Sequence, residues 1–171
     1  MRIHITGNAG SGKTTLAREL GEILSINVFG LDKIVWQENW VATSFEERVS
    51  LEKELASKEE WIIEGVSSIA RNSADYIIFL DFPRSICLKR GVLRSVKYLF
   101  STRPELPNNC PEFKIIHKLI KLIWQFNTLA RPSIIGDIKN KNSIIFSSNN
   151  DLYNFVGSAR HNKTFKMEQK A

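Results

Sequence analysis

Eight consecutive residues near the start constrain this chain more than any other feature: Gly7-Asn8-Ala9-Gly10-Ser11-Gly12-Lys13-Thr14. They fit G-x-x-x-x-G-K-[ST], the pattern of a phosphate-binding loop. The flanks limit the fold. Residues 1–6, with Ile3 and Ile5 apolar, predict a short strand; Lys13–Leu24 predicts a helix with Leu16, Leu20, Ile23 and Leu24 at helical spacing. Glycines let backbone N–H groups curl around an anion with no Cβ in the way. The first turn of the helix adds unpaired N–H groups and the positive end of its dipole. Lys13 supplies charge for the β- and γ-phosphates, and the Thr14 hydroxyl is the expected Mg²⁺ ligand. ATP is therefore expected on Gly7, Asn8, Ala9, Gly10, Ser11, Gly12, Lys13, Thr14 and Thr15. The competing reading, a β–α turn with no ligand, must dismiss a complete motif in its proper context.

The rest of the chain alternates between strand and helix patterns. Residues 26–31 predict a second strand, with Asp32 after its end and Trp36 and Trp40 in a following loop or short helix. Ser44 and Glu47 form a capping box at the start of a helix whose apolar positions are Phe45, Val49, Leu51 and Leu55. Trp61-Ile62-Ile63 is too short for a helix and suits a buried parallel strand, closed by Glu64-Gly65. A small polar segment at 67–73 contains Arg71. Tyr76–Leu80 is the clearest buried strand and ends at Asp81-Phe82-Pro83.

Residues 84–100 predict a helix with Ile86, Leu93, Val96 and Phe100 on one side and Arg90, Arg94 and Lys97 on another. Three prolines and two asparagines make 102–111 a loop. A second long helix spans 112–130, with Trp124 and Phe126, and Arg131-Pro132 ends it. Residues 142–146 predict the last strand and 149–155 a final helix; the basic tail at 157–171 is expected to fray. Strands separated by helices imply right-handed crossovers and a parallel sheet covered on both faces. Ligands bind such sheets at the carboxyl ends of the strands, so the phosphate loop, Asp32, Glu64 and Asp81 are expected to share one crevice.

Composition narrows the class. A length of 171 residues suits one domain, here 1–156 plus the tail, and 43% hydrophobic with 25% charged residues is ordinary for a globular protein. No apolar run approaches a membrane span, and a strand so close to Met1 leaves no room for a signal peptide. Cys87 and Cys110 are the two cysteines and form no C-x-x-C, so the expectation is a cytoplasmic protein with reduced thiols and no zinc site. Net charge is +6, unevenly spread. Residues 1–83 carry 8 Lys and Arg against 13 Asp and Glu, whereas 84–141 carry 12 against 3. That basic, lid-like block faces an anion; polyphosphate and DNA both satisfy it.

Several residues are candidates for the chemistry. Asp32 orients Mg²⁺ or accepts the proton of an attacking hydroxyl, against the plain alternative of a turn or cap aspartate. Glu64 and Asp81 compete for a second carboxylate beside the metal, Asp81 having the plain alternative of a turn residue ahead of Pro83. Arg90 and Arg94 suit a transferring phosphoryl group, against a solvated basic face. Lys97, Lys114, Lys118 and Lys121 belong to such a face. Trp124 and Phe126 read as core or lid packing. His4 and His117 lack metal-ligand neighbours and read as structural. Asn140-Lys141-Asn142-Ser143 lacks the aspartate of a GTPase guanine motif, and no Asp-x-x-Gly follows the loop.

The phosphate loop, Leu31-Asp32 with Trp36, Trp61-Ile62-Ile63-Glu64-Gly65 and Asp81-Phe82-Pro83-Arg84 with Cys87-Leu88 and Arg90 recur together in one group. So do Arg103-Pro104, Cys110-Pro111-Glu112, Trp124-Gln125-Phe126 and Arg131-Pro132. On these residues the chain, over about 1–155, resembles the bacterial adenylate-kinase-related proteins described as DNA topology modulation proteins (FlaR-like). The resemblance implies a three-layer α/β P-loop NTPase of nucleoside/nucleotide-kinase type. Its five-stranded parallel sheet would have the order 2-3-1-4-5, with a helical lid-like segment. It implies ATP and Mg²⁺, and γ-phosphoryl transfer to an unidentified small acceptor. The alternative it carries is an ATP-bound regulator acting on DNA. Lys13, Asp32, Arg90 and Arg94 would be the catalytic residues; Thr14, Asp32, Glu64 and Asp81 would surround the metal. A monomer or dimer without membrane attachment is expected. Adenylate kinases carry Asp-Gly-x-Pro-Arg after the third strand, where this chain has Glu64-Gly65-Val66-Ser67-Ser68.

Overall fold

A computed structural model describes residues 1–162. In chain order the elements are β1 (Arg2–Gly7), α1 (Lys13–Leu24), β2 (Val28–Gly30), the one-turn α2 (Asp32–Val35), β3 (Trp36–Gln37), β4 (Val41–Ala42), α3 (Phe45–Ala56), β5 (Trp61–Glu64), α4 (Ser68–Ser73) and β6 (Tyr76–Leu80). The second half comprises α5 (Arg84–Lys97), a 3-10 turn (Glu112–Lys114), α6 (Ile116–Leu129), α7 (Arg131–Ile138), β7 (Ser143–Phe146) and α8 (Asn149–Asn162). Five strands form one parallel sheet in the order β2-β5-β1-β6-β7. Numbered among themselves these strands run 2-3-1-4-5, as the resemblance implies. The short antiparallel ribbon of β3 and β4 stands apart.

Strand alternation divides the core. Ile3, Ile5, Ile62, Ile78 and Leu80 join Leu16, Leu20, Cys87, Ile123 and Val156 on one face. Trp61, Ile63, Ile77 and Phe79 join Ala56, Ala70, Phe126, Ile134 and Ile138 on the other. Both faces are covered, so the strands read as unbroken apolar runs. Each large aliphatic side chain taken out of water contributes ~1.5–3 kcal/mol.

Several elements depart from the expectations. Of the side of α5 expected to be buried, Ile86 packs against the core, but Leu93 and Val96 are each 61% exposed, and Phe100, in the turn past the helix end, is 84% exposed. The inward side is instead the small series Cys87, Gly91 and Ser95, which lets α6 approach. A Cβ on Gly91 would lie 3.0 Å from Ile123 Cδ1. In α3 the cap holds, with the Ser44 hydroxyl accepting from the Glu47 N–H at 3.2 Å, but Phe45 is 66% exposed and Glu52 and Ala56 are the buried positions. Glu52 accepts a hydrogen bond from the Ser67 hydroxyl, which also caps α4.

Arg131-Pro132 ends α6, yet it also begins α7, because proline in a first turn costs no hydrogen bond. The last helix does not stop near Phe155; it continues through Gly157 to Asn162, with Val156 and Ala159 buried and Arg160 3.6 Å from Glu19. The remainder of the expected tail, 163–171, lies outside the described residues. Among the described residues no helix is long and apolar enough to cross a membrane.

Candidate phosphate-binding and acceptor site

The site is assembled at the carboxyl ends of the sheet strands. The phosphate loop leaves β1 and turns into α1 through Gly12, whose φ of 100° makes a left-handed cap with no side-chain hydrogen bond, so the first N–H groups of the helix keep no internal partner. The loop is braced from behind by the basic helical pair. Gly10, at φ 78°, lies so close to the Cys87 carbonyl that a Cβ would collide with it. The Asn8 side-chain amide donates to the Ile123 carbonyl at 3.0 Å, so that side chain is spent on α6 rather than on a ligand. Ala9 packs against the core and Thr15 is exposed. The Ser11 hydroxyl is buried without a partner. Lys13 Nζ folds back onto the Asn8 carbonyl at 2.9 Å.

Glu64 and Asp81 take different partners. It ends β5 with its side chain buried, and the Thr14 hydroxyl donates to its Oε1 at 3.1 Å. Burial raises the Glu64 pKa, Lys13 pulls it down and Asp32 pushes it up. Burial lowers the Lys13 pKa, while Glu64 and Asp32 raise it and Arg94 lowers it. Asp81 follows β6 and is held instead by Arg131, whose Nη2 and Nε donate at 2.7 and 2.9 Å. Asp32 reaches the same crevice because Gly65, at φ 140°, admits Leu31 beneath it. A Cβ at Gly65 would lie 2.8 Å from the Leu31 side chain, and the Leu31 N–H donates to the Glu64 carbonyl at 3.0 Å.

Arg90 and Arg94 enter the crevice from α5. Arg90 donates to the Ser11 carbonyl at 3.4 Å and to Asn149 at 2.6 Å, and lies over the Phe82 ring at 5.1 Å. Arg94 is half-buried, with its Nε unpartnered; burial and then the neighbouring Arg103 lower its pKa.

Three participants escaped the sequence reading. Arg103, buried in the proline-rich loop, lies 2.6 Å from Glu112 through its Nε and 3.8 Å from Asp32 through Nη2. The Nε contact to Glu112 Oε1 is an ion pair whose N–H is not aimed along it, so both atoms lack a hydrogen bond. Glu112, fully buried, also accepts from Ser95 at 2.8 Å. Trp36 in β3 and Trp40 in the 3-10 turn (Glu38–Trp40) that joins β3 to β4 pack edge to face at 5.3 Å and fasten Asp32's side of the crevice to the lid-like loop: Trp40 Nε1 donates to the Pro111 carbonyl at 2.9 Å. Arg103, Glu112 and Trp36 carried a signal only as parts of the motifs on which the resemblance rests, with no role attached, and the ion pairs join residues too distant for any local pattern.

Among the described residues no three His, Cys, Asp or Glu side chains gather as a metal-ligand set. Mg²⁺ on a nucleotide needs only one or two carboxylates, with phosphates and water completing its shell. A shallow depression of 380 Å³ lined by Ala74, Asp75, Lys139, Asn140, Lys141 and Asn142 lies at the amino ends of β6 and β7, the wrong end of the sheet for this chemistry.

No family model matches the chain, and no curated protein matches its sequence. Solved structures do share its fold. The shikimate kinase of Acinetobacter baumannii, solved with shikimate, is 20% identical with a TM-score of 0.50 over 96% of this chain and 95% of its own. The Bacteroides thetaiotaomicron shikimate kinase is 16% identical, TM-score 0.50, over 94% and 96%. The deoxyadenosine kinase of M. mycoides, with the products dCMP and a flexible dCDP bound, is 13% identical, TM-score 0.57, over 94% and 97%. The fold is thus that of the small P-loop kinases.

Proposed function

We propose that this protein is an ATP-dependent phosphotransferase that moves the γ-phosphoryl group onto a hydroxyl of a small acceptor. The observation that carries this reading is the gathering of Lys13, Thr14, Glu64 and Asp32 around one point at the carboxyl ends of β1, β2 and β5. Lys13, its ammonium now on a loop carbonyl, is free to exchange that contact for phosphate. Thr14 and Glu64 would hold Mg²⁺, with Asp32 at the acceptor side. Bound there, the ion would neutralise the β- and γ-oxygens. The acceptor oxygen would bond to the γ-phosphorus as the bond to the β–γ bridging oxygen breaks, ADP leaving and the hydroxyl proton passing to Asp32. Arg90 and Arg94 would neutralise charge on the phosphoryl group in flight.

Electrostatics support a hydroxyl over a phosphate as the acceptor. Asp32 and Glu64 both act on Lys13, so a dianionic acceptor would meet two carboxylates. Arg103 is already committed to Glu112 and Asp32. No arginine follows Gly65 until Arg71, which is buried and bound to Asp137 and Ser133. A panel of small alcohols, polyols, nucleosides and nucleoside monophosphates, assayed for ATP-dependent phosphorylation, tests the reading; turnover confined to the monophosphates would defeat it. Lys13→Ala is expected to weaken ATP binding about tenfold to a hundredfold, the worth of a charge-assisted contact. It should leave the melting temperature unchanged. Equal calorimetric affinity in both proteins would refute the assignment.

The DNA-regulator alternative draws on the charge of block 84–141. Its arginines Arg90, Arg94 and Arg103 turn toward the phosphate loop and its neighbours, which supports polyphosphate as their anion. Arg90→Ala should accordingly lower kcat by about 10² with little change in ATP affinity. Tight duplex binding that falls steeply with salt, in a protein that phosphorylates no acceptor, would reverse the ranking.

A further inference from the structure

We infer that the outward face of α5, together with Phe113, docks this protein onto an anionic membrane surface. The helix is apolar along the wrong side for a core. Leu93 and Val96 fall at i and i+3 on the side opposite the buried Cys87, Gly91 and Ser95, and the exposed Phe100 follows in the turn just past the end of the helix. Phe100 continues onto the lid: its ring lies 6.1 Å from that of Phe113, which is itself 49% exposed. Isolated exposed apolar residues need no explanation, but a contiguous strip ending in two aromatic rings marks a contact surface.

Charge identifies the partner. Lys89, Lys97 and Lys114 flank the strip and are exposed, and no Asp or Glu occurs from Arg84 to Pro104. Arg90 and Arg94 turn the other way, into the crevice, and Arg84 lies over the Trp124 ring on α6, so the lysines serve this face. A second copy of the same face would set lysines against lysines. Nucleic acid would attract the lysines but has nothing for the strip along the crest. A helix crest is convex and suits a flat partner better than a peptide that needs a groove. An interfacial surface with anionic headgroups satisfies both halves: the rings and aliphatic side chains enter the acyl boundary while the lysines stay among the headgroups. None of the groups assigned to phosphoryl transfer takes part.

Flotation of the full chain with vesicles tests this. Vesicles of phosphatidylglycerol and phosphatidylcholine in equal parts should carry the protein, phosphatidylcholine alone should not, and added sodium chloride should release it. Phe100→Ser should lower the partition coefficient at least about tenfold and Lys97→Ala about fivefold. Both variants should keep the parent melting temperature and ATP affinity, because both side chains are exposed. Failure to float, or equal flotation on neutral vesicles, overturns the inference. So does a dimer in sedimentation that Phe100→Ser dissolves, which would assign the face to a second copy. Duplex binding lost in the same variant would assign it to nucleic acid. None of these outcomes bears on the acceptor panel, so the two readings stand or fall separately.

Discussion

Asp32→Asn is expected to lower kcat on the best hydroxyl acceptor by about 10²–10⁴, the range for a lost general base, while ATP binding stays near the parent value. The side chain is half exposed, and its ion-pair partner, Arg103, sits at 3.8 Å; such a pair adds little stability. Asparagine preserves shape and hydrogen bonding but not the ability to take a proton. The same change should matter less for an acceptor that arrives ionised, so the ratio of the two losses reports acceptor class. Steady-state kinetics with ATP saturating reads it directly. Parent-like turnover in Asp32→Asn would return this residue to a merely structural place after β2.

Acid should weaken the fold through His4. This side chain sits on the central strand, completely buried, with Nε2 3.2 Å from the Gly65 carbonyl. That partner requires Nε2 to carry the proton of the neutral ring, leaving Nδ1 as a buried acceptor with no partner. Burial first, then the positive charge of Arg71, lowers its pKa from 6.5 to about 3. The folded state therefore refuses a proton that the unfolded chain accepts. Stability is full above the unfolded pKa and falls as pH drops from 6.5 toward 3, by about 3 kcal/mol between pH 7 and 4. That corresponds to roughly 6–12 °C in Tm for a chain of this size. His4→Gln keeps a donor for the Gly65 carbonyl and removes the titration. It should begin less stable at pH 7 and show a flatter profile. Arg2 holds the Asp75 carboxyl below the usual range and burial holds Glu64 above it, but both groups are common to the two proteins and cancel in the comparison. Parallel profiles would show that the imidazole is not the acid-sensitive group.

These predictions draw unequally on sequence and structure. The phosphate loop was legible at once, because its chemistry is local: glycines, a lysine and a threonine at fixed spacing act through their own backbone. The buried strands Trp61–Glu64 and Tyr76–Leu80 were legible for a related reason, since a strand covered on both faces carries a nearly continuous apolar run, here Trp61-Ile62-Ile63 and Tyr76–Leu80. Alternation of strands with helices then implied the parallel sheet, and the resemblance to nucleotide kinases implied its strand order. Asp32 and Glu64 could be placed at strand ends.

Other features were decided only in three dimensions. Periodicity put Ile86, Leu93, Val96 and Phe100 on one side of the helix expected over 84–100 but carried no information about which side the core would take; only Ile86 of the four packs on it. Packing took the side where Cys87, Gly91 and Ser95 are small enough to admit the phosphate loop and α6. Glu64 and Asp81 looked equivalent until Thr14 bonded one and Arg131 the other, partners fifty residues away in each case. Arg103 and Glu112 lie in a segment that reads as loop, and their burial together depends on α5 and the tryptophan ribbon closing over them. Sequence by itself determined where the phosphate-loop pattern lies and what kind of sheet carries it, since both follow from contiguous residues. Tertiary structure decided which carboxylate stands beside Thr14, which arginines remain uncommitted and which helix face is left to solvent, because each depends on contacts between segments remote in the chain.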